Sequence, residues 1–558
     1  MAGLDQRHVG AQGDRYDADH DQQAQPLDPA GRRPHPHAHP VSSLDVAAAI
    51  LSCAVLIRCT LLFRLSSLLL VSLAVLAPGV RAAPASDSAT GAARAFDRLS
   101  ADPPRLREFL REMPKGGDLH NHLAGAIYAE SYLGWAGASG LCIDMHDHSI
   151  ARPPCTGDLK PAADALAQNP GLEDAMIDQL SMRDFTPSPG DASGHDHFFS
   201  TFPKFDAAGT GHVGEMLAEE ASRAAAEHTE YLEIMWYPRV RESAGLGLSR
   251  PWANEDFAAD LGAIQDGIPH LLAEAKTDTD QAEARMREVL HCATATPDPG
   301  CRVIIRYQTF LLRVLPPRAV FAQLAYSYAL VHADPRFVGI NIVAPEDNPV
   351  ALRDYGLHMR AFRFFHAAHP EVKLSLHAGE LTLGLVPPED LRNHIRQAVE
   401  IAGASRIGHG VDITYEDDAP GLLAEMARRH VAVEINQTSN DQILGVRGAD
   451  HPFTAYRAAG VPMVLSTDDE GVERIDLTHE YLRAVETWHL GYPALKALSR
   501  NALTYSFLAG NALTIDARGN PIKPNADLLA HSDRARAQWQ LEEAFRTFET
   551  KEAQTDPR

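Results

Sequence analysis

Short apolar runs recur along the chain, with amphipathic stretches between them. The runs at 231–237, 302–308, 337–343, 372–377, 405–409, 431–435 and 462–467 are of strand length and rich in aliphatic and aromatic residues. An earlier run ends at His122, which makes eight strand candidates. Helical periodicity fills several of the gaps, at 317–332, 354–368, 388–402 and 419–429. This alternation predicts an α/β fold, a (β/α)8 TIM barrel. The rival architecture, an open doubly wound sheet, calls for a Gly-rich phosphate turn after an early strand, and no G-x-G-x-x-G or P-loop is present.

The remaining pattern decorates this frame. A helix or two at 89–113 leads into the first strand. Helical insertions follow it, at 127–135, 161–167 and 172–182, with a Cys-bounded loop among them. Phe198-Phe199-Ser200-Thr201-Phe202 opens an apolar-faced helix, and extra C-terminal helices near 493–509 and 533–549 close the barrel and pack outside it. The domain reading is an N-terminal extension at 1–45, a targeting segment at 46–83, the barrel at 84–532, and a helix and tail at 533–558.

Four of the apolar runs end in polar residues. Gly117-Asp118-Leu119-His120-Asn121-His122-Leu123 places two imidazoles on one face of an extended segment, since side chains alternate along a strand. Lys373-Leu374-Ser375-Leu376-His377-Ala378-Gly379-Glu380 ends in a His and, three residues on, a Glu. Arg406-Ile407-Gly408-His409-Gly410 ends in a His between glycines, and Val464-Leu465-Ser466-Thr467-Asp468-Asp469 ends in paired acids. In a parallel barrel the carboxyl ends of strands are where catalytic groups collect. Taken singly these motifs are weak. A His-x-His pair in a chain with 27 His residues is commonly surface or core, and paired acids after a strand also cap helices. His146-Asp147-His148 and His195-Asp196-His197 lie outside apolar runs and read as loops, and the proline-flanked tract at His35, His37 and His39 reads as unstructured.

Taken together, in this order and spacing, the four segments resemble the adenosine deaminase family of zinc hydrolases, particularly its secreted branch related to the adenosine deaminase growth factors. The resemblance runs from about Pro104 to Leu513. It implies one Zn2+ held by His120, His122, His377 and Asp468. It implies Glu380 as proton donor to a purine ring nitrogen, His409 as the group that orients the attacking water, and Asp469 as that water's hydrogen-bond acceptor and a substrate contact. Ala344 stands where the family offers a backbone N–H to the purine. The implied reaction is hydrolytic deamination of adenosine or 2′-deoxyadenosine. Adenine, AMP or a modified adenosine is the alternative substrate, and a catalytically silent adenosine-binding protein the non-enzymatic one. Four departures from the family pattern bear on the substrate: Ala124 replaces an acid two residues after the second His, Ala344, followed by Pro345, replaces a Gly, Asn436-Gln437 replaces Cys-Pro, and Glu470 replaces a Pro.

Composition narrows the partner. A formal net charge of -23 disfavours nucleic acid, whose backbone demands clustered Lys and Arg, and points to a small, neutral or cationic partner; that it is a purine nucleoside is what the resemblance implies. Arg58 and Arg64, an apolar core at 65–77 and small residues around Ala83-Pro84-Ala85 describe a secretory signal, with an uncleaved anchor over 46–80 as the alternative. With the signal reading, the expectation is a periplasmic or secreted protein with no stable membrane insertion after cleavage. Cys142 with Cys155 and Cys292 with Cys301 are then natural loop staples; a zinc ribbon is the other reading.

Overall fold

The computed structural model describes residues 87–516 and 520–554. The extension at 1–45 and the targeting segment at 46–83 lie outside the described residues. Eight parallel strands stand side by side in chain order: β1 (Gly116–His122), β5 (Thr229–Met235), β6 (Ile304–Leu312), β7 (Phe337–Val343), β8 (Lys373–Ala378), β9 (Arg406–His409), β10 (Ala432–Ile435) and β11 (Met463–Leu465). The expected barrel is therefore present. Between β1 and β5 lies a small antiparallel sheet of β2 (Cys142–Asp144), β3 (Ile150–Ala151) and β4 (Leu159–Pro161), ordered β3-β2-β4. It occupies the segment read as a loop, because strands of two and three residues are too short to show a period of two.

The barrel closes at the segment that carries the candidate ligands. Past the end of β11, Asp468 N–H donates to His120 O at 2.8 Å, and Asp468 O accepts from His122 N–H at 2.9 Å. Asp118 braces the same joint. One of its carboxylate oxygens accepts from His120 N–H at 3.1 Å, and the other from Thr467 N–H and Oγ1–H at 3.2 and 2.6 Å. Closing the sheet and aligning the first and last polar strand ends are thus one set of bonds.

Apolar residues on the strands are almost wholly buried, among them Leu119, Leu232, Ile340, Leu374, Ile407, Val433 and Val464. Helices cover the outside. Pro317–Ala333 and Pro349–Ala368 follow β6 and β7, the second capped by Asn348, whose side chain accepts from Val350 N–H at 2.9 Å. Three further helices between β5 and β6, at Val240–Leu248, Phe257–Ile264 and Ile268–Val289, form a second insertion. The C-terminal helix Asp533–Gln554 packs on the N-terminal helix Asp87–Leu99, and its Phe548 meets Phe109 edge-on at 5.0 Å.

Two local expectations are corrected. His195, Asp196 and His197 lie not in a loop but in the first turn of the helix Gly194–Gly209, which Ser193 starts by accepting from Asp196 N–H at 3.0 Å. The stretch 388–402 is not one helix; it breaks into a 3-10 turn at Pro388–Leu391, a turn of α-helix at His394–Arg396 and a π-helical turn at Gln397–Ala402. Tertiary contact explains the break, since the His394 ring stacks on Tyr355 at 3.7 Å and its Nδ1 bonds Glu346 at 2.6 Å. Both proposed cysteine pairs are disulfides, Cys142 with Cys155 and Cys292 with Cys301.

Candidate active site

All the polar strand ends meet at one end of the barrel. His120 and His122 from β1, His377 from β8 and Asp468 after β11 bring one ligand atom each within 4.8 Å of one another. His120 Nε2 is 3.1 Å from His377 Nε2, and His122 Nε2 is 3.2 Å from it. Asp468 Oδ1 lies 3.2 Å from His120 Nε2 and 3.3 Å from His122 Nε2. Ligands 2.0–2.1 Å from a tetrahedral zinc stand roughly 3.3 Å apart, so these spacings are those of one coordination shell.

The surrounding bonds prepare the nitrogens for a metal. Asn341 Oδ1 accepts from the backbone N–H of Ile342 and His377, which identifies it as the oxygen, and His377 Nδ1 must then donate to it at 2.8 Å. The lone pair of His377 is thereby left on Nε2. His120 Nδ1 likewise bonds Glu434 Oε2 at 2.7 Å, which turns its Nε2 inward. At His120 positive charge is favoured, while burial lowers His122 and His377. Burial lowers His120, but Asp468 and Glu434 outweigh it and lift the imidazole to about 10. The residues therefore fit a divalent cation with nitrogen and oxygen ligands.

Beside this cluster a cavity of about 400 Å3 opens. Its polar wall is His122, His377, Glu380, His409, Asp468 and Asp469; the opposite wall is apolar, led by Phe198, Phe199, Phe202, Phe310 and Ile443. The helix Gly194–Gly209 supplies the first three of these aromatics. Glu380 is buried, and burial first, then Asp468 and Glu346, raises its carboxyl to about 8. It is a protonated acid at neutral pH. His409 is fully buried and falls to about 3, burial outweighing the pull of Asp468, so its ring is neutral. Asp469 is pushed well above the usual carboxylate range by burial and then by Asp468. It fits only because residue 125 is glycine: a Cβ there would meet Asp469 Oδ1 at 1.5 Å. Ala344 and Ala124 also line the cavity, and Ala344 holds φ +81°, a left-handed conformation that costs a non-glycine residue of order 1–3 kcal/mol.

Every site residue anticipated from sequence therefore reaches this one cavity or the cluster beside it. The bracing beneath it was not anticipated. Glu346 accepts from Gly379 N–H and Glu380 N–H at 3.2 and 3.0 Å, holds His394, and lies 3.5 Å from the fully buried Arg313, which itself donates to His377 O at 3.2 Å. This network fixes the turn carrying Glu380. Glu434 ties His120 to Ser375 and Arg406, and Arg406 also pairs with Glu233. An acid inside the apolar run Val433-Glu434-Ile435 was the available signal, since a buried carboxylate needs partners.

A parallel barrel with three imidazoles and a carboxylate converging at its strand ends has the build of a metal-dependent hydrolase. The family model "Adenosine deaminase" matches residues 210–512, over half of the chain, and the chain belongs to that family of hydrolytic deaminases. His120 and His122 precede the matched span. Among curated relatives, the adenosine deaminase of Enterococcus faecalis is 34% identical over 139 residues, 25% of this chain and 38% of that protein. That of Clostridium perfringens is 32% identical over 136 residues, 24% of this chain and again 38% of that protein. The chain thus matches 38% of the length of these relatives. Among solved structures, Arabidopsis ADAL complexed with IMP shares the fold, with a TM-score of 0.50 and 18% identity over 79% of this chain and 99% of that chain.

Proposed function

We propose that the protein is a zinc-dependent deaminase that hydrolyses adenosine or 2′-deoxyadenosine to inosine or 2′-deoxyinosine and ammonia. One observation carries the reading: a four-ligand cluster and a buried acid, Glu380, whose carboxyl burial raises, share the wall of a cavity large enough for a nucleoside. In this reading His120, His122, His377 and Asp468 hold Zn2+, which when bound supplies a hydroxide-strength nucleophile at neutral pH. Glu380 keeps its proton until the ring nitrogen takes it. His409 and Asp469 orient the nucleophile, and the Ala344 backbone faces the purine. The apolar wall receives the ring and keeps bulk water from the acid.

Among the described residues no Lys or Arg lines the cavity, which supports an uncharged substrate over a nucleotide. A second reading, adenine, is favoured by Ala124, which leaves no acid beside His122 to bind a sugar hydroxyl. Ammonia release from adenosine, 2′-deoxyadenosine, adenine and AMP tests both. The expected order puts the two nucleosides first; release from adenine alone would leave only the second reading, and release from AMP alone would refute both.

Export is part of the proposal. Two disulfides support an oxidising compartment, and among the described residues no helix is long and apolar enough to cross a membrane. N-terminal sequencing of secreted material tests the signal at 46–83.

A further inference from the structure

His409 has two faces, and their hydrogen bonds differ. Its Nε2 has no partner among the described protein atoms, is buried, and lies 3.6 Å from Asp468 Oδ2 on the side of the reacting centre. Its Nδ1 lies 2.9 Å from Asn440 Nδ2 and 3.5 Å from Asn436 Nδ2. Glu380 Oε1, 3.6 Å from the same nitrogen, is beyond hydrogen-bond reach. Which nitrogen of His409 carries the proton decides what it can do: Nε2–H makes it a donor to the nucleophile, whereas a bare Nε2 makes it a base.

The choice is set two residues away, by a group whose role is not ambiguous. The backbone N–H of Phe453 can only donate, and it donates to His451 Nδ1 at 3.1 Å. A neutral His451 then carries its proton on Nε2, and burial followed by Arg483 keeps it neutral by lowering it to about 4. That Nε2–H lies 3.1 Å from Asn440 Oδ1, which must accept. The amide of Asn440 is thereby oriented, with its NH2 toward His409 Nδ1, and Nδ1 accepts in turn. All three side chains are buried, so water does not compete for these bonds.

We propose that Asn440 and His451 are positioning residues that lock His409 as its Nε2–H tautomer, so that it presents a hydrogen-bond donor and not a base to the nucleophile. Deprotonation of that nucleophile then falls to a group other than His409. The tautomer stands on the hydrogen-bond chain through Asn440 and a neutral, buried His451; what it donates to rests on the deaminase reading above.

Histidine-selective 15N NMR of the zinc-loaded protein reads the tautomer without turnover, with the His409 signals assigned by their loss in His409→Gln. Wild type should show a protonated Nε2 and a bare Nδ1. Asn440→Asp replaces the donating amide by an acceptor, so the proton should move to Nδ1. In that variant kcat should fall by roughly 10²–10⁴-fold, the scale set by a wrong histidine tautomer elsewhere, with KM held within about threefold. His451→Gln, which still offers an N–H to Asn440, should keep the wild-type tautomer and rate, while His451→Phe should lose both with zinc content intact. A wild-type proton on Nδ1, or an Asn440→Asp variant with unchanged tautomer or unchanged kcat, would overturn the proposal. A correct tautomer in a protein inactive on every purine would instead count against the deaminase reading.

Discussion

Glu434→Gln is nearly isosteric, yet it should cost the protein its hold on zinc. Three donors converge on the two oxygens of Glu434: Ser375 Oγ and Arg406 Nε on one, His120 Nδ1 on the other. Burial would raise this carboxyl, but Arg406 and then His120 outweigh it and hold it down at about 2, so it is ionised throughout the working range. An amide has one oxygen. The guanidinium is an obligatory donor and charged, so that oxygen turns to Arg406 and the NH2 turns to His120. His120 must then accept at Nδ1 and carry its proton on Nε2, the atom proposed to bind the metal. Loss of a ligand's supporting hydrogen bond costs 10- to 100-fold in metal affinity, and inversion of the tautomer puts this case at the upper end, about 100-fold or ~2.7 kcal/mol. Competition against a fluorescent zinc chelator measures it. Glu233→Gln is the control, because it strips the other carboxylate from Arg406 without touching His120. It should lower thermal stability and leave zinc affinity within about threefold on that scale. Wild-type affinity in Glu434→Gln, or equal losses in both variants, would refute the reasoning.

Other outcomes are expected on the same footing. His377→Ala or Asp468→Ala should lower bound metal below one ion per chain by elemental analysis and abolish activity, since each removes one of four converging groups; full metal and full rate in either would remove that residue from the site. Burial, only partly offset by Asp354, holds His358 at about 4, below its ordinary 6.5. The unfolded chain therefore binds this proton first, so the stability is fully present above pH 6.5 and is lost as pH falls toward 4, by roughly 3 kcal/mol. His358→Leu should flatten that acid limb in urea titrations, and an unchanged pH profile would show that His358 does not titrate there. Reduction of Cys142–Cys155, which closes a loop of sequence separation 13, should lower the thermal midpoint by an amount equivalent to roughly 3 kcal/mol while zinc stays bound. Zinc loss on reduction would tie the disulfides to the site.

Much of the barrel was legible because its strands are buried on both faces and read as continuous apolar runs, and because polar residues at their ends stand out against them. β11 is shorter than its run at 462–467, since Thr467 leaves the ladder to bond Asp118. The helix at Gly194–Gly209 carried a legible start, Ser193 with Asp196 three residues on, which a search for apolar period alone passes over. The helix Ile268–Val289 buries Ile268, Leu271, Ala275, Thr279 and Ala282, a helical spacing present in the sequence but diluted by Ala and Thr. What no local pattern contains is the set of bonds between residues far apart along the chain: Glu346 beneath Glu380, Asn341 behind His377, His451 behind Asn440. These partners are separated by 34, 36 and 11 residues, and only tertiary folding brings them together.

If Glu380 supplies a proton at a zinc-loaded centre, one variant should show it. In Glu380→Gln the side chain keeps its shape and loses its proton, while the four candidate ligands remain in place. Zinc content and kcat on adenosine should be measured on the same preparation. The expected result is one zinc per chain, a KM close to wild type and a kcat lower by roughly 10²-fold or more, the range assigned to general acid–base catalysis. A zinc-replete Glu380→Gln protein that keeps more than about a tenth of the wild-type kcat would contradict it.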